Sequence, residues 1–176
     1  MDAQQLLAAR RQKDAFFKNH PQSPLTPEQR ALFTGLSYYD PNPDLNLRVT
    51  VEPFGADDVV AVQTTTGDVR EYRRFGRFTF TVDGQAAQLT IYEADYGFFL
   101  PFVDAGASQE TYGAGRYLEP EYLGGNNFHV DFNQAYNPFC AYNPRWSCPL
   151  TPPENRLKVA IRAGEKMPPG DWVEKG

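Results

Sequence analysis

From Arg77 to Val82 every second residue is apolar, giving Phe78, Phe80 and Val82, and Asp83-Gly84 follows at once. A period of two puts those three side chains on one face of an extended chain. Asp-Gly supplies the two residues that a tight two-residue hairpin turn needs. The second strand of the hairpin follows as Gln88-Leu89-Thr90-Ile91-Tyr92. The same alternation recurs at Arg48 to Glu52, at Val59 to Thr64 and at Val69 to Arg74, with Thr66-Gly67-Asp68 as a turn between the last two. Phe98 to Val103 is nearly continuously apolar and reads as a central strand covered on both faces. Asn127 to Phe132 and Leu157 to Ile161 read as two further strands. Short strands at regular intervals, with turn signals between them, predict a mainly β fold: an antiparallel β-sandwich or a partly open β-barrel.

The alternation begins only at Asn46, and what precedes it reads as a helical arm. Residues 2 to 19 carry a capping Asp2 and an apolar stripe of Leu6, Leu7, Phe16 and Phe17. Arg10, Arg11, Lys13 and Asp14 are expected on the wet side of that helix, and His20-Pro21 ends it. Thr26-Pro27-Glu28-Gln29 is a second helix start, a cap followed by proline at the first position. That helix is short and stops near Gly35. A Pro/Asp/Asn connection from Tyr38 to Asp44 follows, with no long linker. We therefore expect one domain over residues 1–176, with a helical arm (1–36) packed on a β-rich body (45–165).

Composition limits the partners. The 176 residues are 41% hydrophobic and 22% charged, as in a soluble globular chain, and 14% aromatic, which leans towards β structure. A net charge of −5 argues against nucleic acid as a general partner, because phosphate binding needs a basic surface. No apolar run approaches membrane-spanning length. Charges stand where a signal peptide would carry its apolar core, so the expected location is cytoplasmic.

The stretch from Asp131 to Cys148 breaks the pattern. It holds both cysteines and a doubled Ala-Tyr-Asn-Pro, and after Asp131 its only charge is Arg145. Rings favour burial, and a buried amide or hydroxyl left unpaired costs about 1–3 kcal/mol. The tract must therefore be packed and internally bonded. Asn137 and Asn143 precede prolines, which favours extended or turn geometry. The even spacing of the repeat would put Tyr136 and Tyr142 on one face of an extended chain, unless turns at the prolines break the register. Cys140 and Cys148 read as free thiols in a cytoplasmic chain. The alternative is a bridge, which for so short a loop contributes roughly 2.6 kcal/mol. Their seven intervening residues do not match zinc-site spacing, so no metal is expected there.

Several motifs together resemble one family. They are Tyr112-Gly113-Ala114-Gly115-Arg116-Tyr117-Leu118, Asp131-Phe132-Asn133-Gln134-Ala135-Tyr136-Asn137-Pro138, Cys140-Ala141-Tyr142-Asn143, Cys148-Pro149, Pro153-Glu154-Asn155-Arg156-Leu157 and Ala163-Gly164-Glu165. With Arg10 to Phe17 and Ser23-Pro24-Leu25, the pattern resembles the DUF1684 family, a prokaryotic domain of unknown function. The resemblance covers nearly the whole chain and implies no particular activity, cofactor or catalytic residue. His129 lies outside the pattern.

Three constellations are candidates for chemistry. The first is a set of acids, Asp104, Glu119, Asp131, Glu154 and Glu165, in apolar or Gly/Pro-rich settings where a carboxylate must be paired. Arg116 is their natural clamp. The set serves either as a structural bridge, as an anion-binding arginine, or as an oxygen-ligand site for a hard cation. The second is Cys140 as a nucleophile with His129 and either Asp104 or Asp131, against a buried thiol. The third is a small-molecule pocket at the sandwich or barrel end, lined by Tyr112, Tyr117, Phe132, Tyr136, Tyr142 and Trp146. Ligand contacts there are expected from Arg116, Tyr117, Asp131, Asn133, Tyr136, Asn137, Tyr142 and Asn143, and the weaker catalytic candidates are Cys140, His129, Asp131 and Glu154. The favoured expectation is a small-molecule-binding module or an enzyme of unknown specificity with its site in residues 112–165. The alternatives are a structural or interaction protein whose motif only stabilises the fold, and a hydrolase-like enzyme using Cys140 or a carboxylate.

Overall fold

The computed structural model describes residues 2–170. It is mostly β, with antiparallel sheets and an N-terminal helical arm. Strands β1 (Asn46–Thr50), β2 (Glu52–Pro53), β3 (Val59–Gln63), β4 (Val69–Val82), β5 (Gln85–Ala94), β6 (Gly97–Phe102), β7 (Arg116–Leu118), β8 (Glu121–Gly124) and β9 (Asn127–Asp131) form two sheets. One is six-stranded, in the order β2-β4-β5-β6-β7 with β3 also paired to β4; the other is three-stranded, in the order β1-β9-β8. Among the described residues no pairing joins the two sheets, so they do not close into a barrel.

The hairpin that the sequence marks most clearly forms as expected. Asp83 and Gly84 take φ of 49° and 77°, the left-handed pair that a hairpin turn requires. The two segments expected at 69–74 and 77–82 are one long strand with an irregularity between Arg74 and Gly76. The alternation on β4 then has a clear physical meaning. Phe78, Phe80, Leu89, Ile91, Leu100 and Phe102 point to one side of the large sheet and meet Phe128 and Val130 of the small sheet. Their sequence neighbours Tyr92, Phe99 and Tyr117 point the opposite way, into a second apolar cluster with Phe17, Leu25, Phe33 and Tyr142. β6 is thus covered on both faces, which is why its sequence is a continuous apolar run. Each such fully buried side chain contributes roughly 1.5–3 kcal/mol of transfer free energy.

Helix α1 (Ala3–Asn19) carries a capping box between Asp2 and Gln5, and α2 (Pro27–Leu32) carries one between Thr26 and Gln29. Leu6 and Phe17 are buried, but Leu7 is exposed. The expectation that Arg10, Lys13 and Asp14 face water is overturned. Arg10 is only 9% exposed; its guanidinium stacks on Tyr38 and donates to the Tyr39 carbonyl at 2.8 Å. Lys13 pairs with Glu165, and Asp14 accepts the Leu36 N–H at 3.0 Å. The reason is the 37–39 segment, which folds back along the helix and pairs with the 164–166 segment: Tyr39 N–H donates to the Gly164 carbonyl at 2.9 Å and Lys166 N–H to the Ser37 carbonyl at 2.8 Å. Arg10 and Lys13 therefore share the inward face of α1 with Leu6 and Phe17, and Arg11 lies on the exposed one.

One expectation about the C-terminal third is corrected. Regular strands end at Asp131, and the expected strand Leu157 to Ile161 is extended chain without a full ladder. Leu157 N–H donates to the Val103 carbonyl at 2.7 Å and Ala105 N–H to the Val159 carbonyl at 3.0 Å, but Ile161 N–H goes to the Asp104 carboxylate at 2.9 Å. The period of two is still used, because Val159, Ile161 and Ala163 are buried in the main core with Leu157 packed against it. The short strands β7 and β8 carry too few residues to show a period and were not expected.

Candidate functional site

The tract from Asp131 to Cys148 is packed as its composition demands, but as tight turns rather than one extended face. Short 3-10 turns at Phe132–Gln134 and Phe139–Ala141 break the register, so Tyr142 is buried while Tyr136 stays partly open. Tyr136 is held to β7 by a two-way backbone bridge: Tyr117 N–H donates to its carbonyl at 2.8 Å, and its N–H donates to the Tyr117 carbonyl at 3.0 Å. The two rings meet edge to face at 6.0 Å. The other end of the tract is held by the β3–β4 turn. Thr65 N–H donates to the Cys148 carbonyl at 2.9 Å, its hydroxyl donates to the Trp146 carbonyl at 2.9 Å, and Arg70 donates to the Ser147 carbonyl at 3.0 Å.

Between these two anchors lies an open cleft of about 330 Å³. Six rings wall it: Tyr96, Phe99, Tyr117, Tyr136, Phe139 and Trp146. Arg70, Glu119, Ser147 and Cys148 supply its polar groups. Glu119 accepts the Tyr136 hydroxyl. Neither Glu119 nor Arg70 is in an ion pair among the described residues. Burial pushes the Tyr136 hydroxyl well above its ordinary pKa, and the neighbouring Glu119 charge adds to this, so it stays a donor at neutral pH.

The thiols meet at the back of this cleft. Cys140 and Cys148 are free and each only 7% exposed. The Cys140 N–H donates to the Cys148 sulfur at 3.4 Å, and the Cys140 sulfur lies 4.0 Å from the Tyr112 hydroxyl. The contact between the thiols lowers Cys148 and pushes Cys140 up, with burial adding to the rise at Cys140.

Of the expected ligand contacts, only Tyr117 and Tyr136 face this cleft, with Trp146 from the wider set of rings. The others are placed elsewhere. Arg116 is wholly buried; it donates to the carbonyls of Ala163 (2.5 Å), Ile161 (2.7 Å) and Glu165 (2.9 Å), with Asp104 at 3.6 Å. Asp131 accepts from Asn133 and from Gln134 and so closes the turn that follows β9. Asn133 exchanges hydrogen bonds with the Asn42 backbone at 2.7 and 2.8 Å. Asn137 donates its N–H to Glu165 and its amide to the Lys166 carbonyl. Asn143 accepts the Arg145 N–H, and Tyr142 is stacked edge-on against Phe17 at 5.2 Å.

The catalytic candidates do not converge. His129 lies on the small sheet, its ring nitrogens against Glu121 (3.1 Å) and Asn46 (2.5 Å). Asp104 is engaged by Thr111, Ile161 and Arg116, and among the described residues no histidine or carboxylate hydrogen-bonds to Cys140. Glu154 is gripped bidentately by Arg74 and also accepts the Tyr92 hydroxyl. Burial alone would raise its pKa, but these partners hold it below the ordinary carboxylate value. The five acids are dispersed, each with its own partner, and no group of three metal-ligating side chains gathers among the described residues. Arg70, Tyr96, Phe99 and Phe139 were not anticipated. The available signal was the alternation on β6, which turns Phe99 away from Leu100; the 66% exposure of Tyr96 appears only in the fold.

Fold and cleft together define a small, mostly β protein with a helical arm and a ring-walled hollow to which its most distinctive motif contributes. The chain belongs to the DUF1684 family, described as a protein of unknown function, whose model matches residues 31–166. It is similar to an uncharacterised protein of Haloarcula marismortui known from a solution NMR structure, with 39% identity over 93% of this chain and 92% of that one and a TM-score of 0.68. No curated protein matches it. Among the described residues, no helix is long and apolar enough to cross a membrane.

Proposed function

We propose that this protein is a small-molecule-binding module whose ligand occupies the cleft between the Tyr117–Tyr136 bridge and the Trp146–Pro149 segment. The observation that carries this reading is the cleft itself. A motif serving only to stabilise the fold would be filled, whereas six rings here surround open space, with Glu119 and Arg70 at its edge in no ion pair among the described residues. Apolar walls with a few fixed polar groups are what a ligand site needs. The ring walls suit a ligand with a flat, apolar body. Glu119, already oriented by the Tyr136 hydroxyl, suits an amine or hydroxyl on that body. Binding is favoured over hydrolysis because Cys140, His129, Asp131 and Glu154 do not face this space together.

An NMR titration of the folded protein with a panel of small aromatic amines, phenols and carboxylates tests the reading. Binding should move the Trp146 indole and Tyr136 signals together, favour amines over matched carboxylates, and weaken roughly tenfold or more in Tyr136→Ala. Shifts scattered over the surface, or binding untouched by Tyr136→Ala and Trp146→Ala, would sink it.

A further inference from the structure

We propose that Cys148 and Cys140 are a redox-responsive dithiol, in which Cys148 is the attacking sulfur at the wall of the cleft and Cys140 behind it resolves the product to an intramolecular disulfide. The inference starts from geometry. The Cys148 sulfur is 3.4 Å from the main-chain nitrogen of Cys140. Adding one N–Cα bond leaves it at most about 4.9 Å from the Cys140 Cα, within reach of a rotation of the Cys140 side chain. The two thiols are not equivalent. Cys148 lines the open cleft, while Cys140 faces the Tyr112 hydroxyl in the second core cluster. Their ionisation follows the same division, with Cys148 lowered and Cys140 raised. A thiolate at a solvent route and a protonated thiol behind it is the arrangement of an attacking and a resolving cysteine.

The co-reactant is a peroxide small enough to enter the cleft. The Cys148 thiolate attacks one peroxide oxygen; the S–O bond forms, the O–O bond breaks, and the departing oxygen leaves as water or an alcohol after taking a proton. Sulfur is oxidised to sulfenic acid and the peroxide is reduced. The Cys140 sulfur then attacks the Cys148 sulfur; the S–S bond forms, the S–O bond breaks, and water leaves carrying the Cys140 proton. The pair loses two electrons and two protons, the equivalent of two hydrogen atoms. Attack needs no ligand in the cleft, so the dithiol stands or falls apart from the binding reading, which the fragment titration of reduced protein tests separately.

The experiment treats the full folded chain with hydrogen peroxide and follows intact mass, free thiols and the peptide map. The expected result is a mass lower by two hydrogens, both thiols lost together, one peptide pair joining 140 to 148, and reversal by dithiothreitol. In Cys140→Ser a sulfenic-acid trap should label residue 148. In Cys148→Ser the loss of the remaining thiol should slow by roughly tenfold or more. Should either variant fail to fold, the peptide map of the unaltered chain decides alone. Oxygen added to Cys140 without a cross-link, disulfides only between chains, or two thiols that survive excess peroxide in folded protein would each overturn the proposal.

Discussion

Thr90 and Asn155 exchange two hydrogen bonds: the Thr90 N–H donates to the Asn155 side-chain oxygen at 2.8 Å, and the Asn155 amide donates back to the Thr90 carbonyl at 2.9 Å. The same amide also donates to the Pro101 carbonyl at 2.8 Å. β5 and β6 are paired over Tyr92–Ala94 and Gly97–Phe99, and where that pairing stops a side chain takes over both backbones. Asn155→Ala should strand these wholly buried groups. At about 1–3 kcal/mol for each unsatisfied group, we expect a loss of roughly 3–5 kcal/mol, seen as a lower urea midpoint at unchanged slope. A loss below about 1 kcal/mol would show that water replaces the amide.

Gly164 sits at φ +77°, and a Cβ there would stand 2.6 Å from the Ala135 carbonyl and 2.8 Å from that of Phe132. The obstruction is backbone, which cannot swing aside. Gly164→Ala should destabilise by about 2 kcal/mol or more, from left-handed strain and displacement of the 132–135 turn. Thermal unfolding reads this directly, and an unchanged melting temperature would refute it.

Lys13 of the arm pairs with Glu165, which also accepts the Asn137 N–H at 2.8 Å. Glu165 is buried and Lys13 partly exposed. Lys13→Met leaves a carboxylate out of water with its cation gone, and should cost about 2–4 kcal/mol. Much of this should be recovered in the double variant with Glu165→Gln. A double-mutant cycle in urea measures that coupling, and simple additivity of the two losses would contradict it.

Glu110 is held down to about 2 by hydrogen bonds from Arg162 and then Tyr39. A carboxyl depressed in the folded state stabilises the fold fully above its unfolded value of 4.5, and loses that contribution as pH falls towards about 2. Stability should therefore decline over this window, and Glu110→Gln should make the decline shallower. Urea midpoints at a series of acid pH values check this; identical slopes for the two proteins would count against it.

How much could be read from the residues depended on how local each signal was. Phe78, Phe80, Val82 and Asp83-Gly84 dictate a hairpin within ten residues, and Thr26-Pro27 dictates a helix start within two. The packed character of Asn133 to Trp146 was equally legible from its lack of charge. Arg10 was misplaced because its covering segment, Tyr38 to Tyr39, has no sequence period and is fixed by pairing with the distant 164–166 segment. The cleft was half legible. Tyr117, Tyr136 and Trp146 belong to the motif, but Arg70, Tyr96, Phe99 and Glu119 arrive from other strands and turns, and no spacing announces that. Arg116 was read in sequence as a clamp for a carboxylate, either as a structural bridge or at a ligand, because of its fork and its setting between Gly115 and Tyr117. In the fold its charge is absorbed by three carbonyls and Asp104.

One side chain separates two spaces. Tyr136 lines the ring-walled cleft on one side and, on the other, the hollow beneath α1 where Lys13 lies 5.0 Å over its ring. Any coupling carried through this shared partition is thermodynamically reciprocal. A guest that tilts that ring would also change how firmly the N-terminal helix is seated, and loosening the helix would then change the guest's affinity by the same factor.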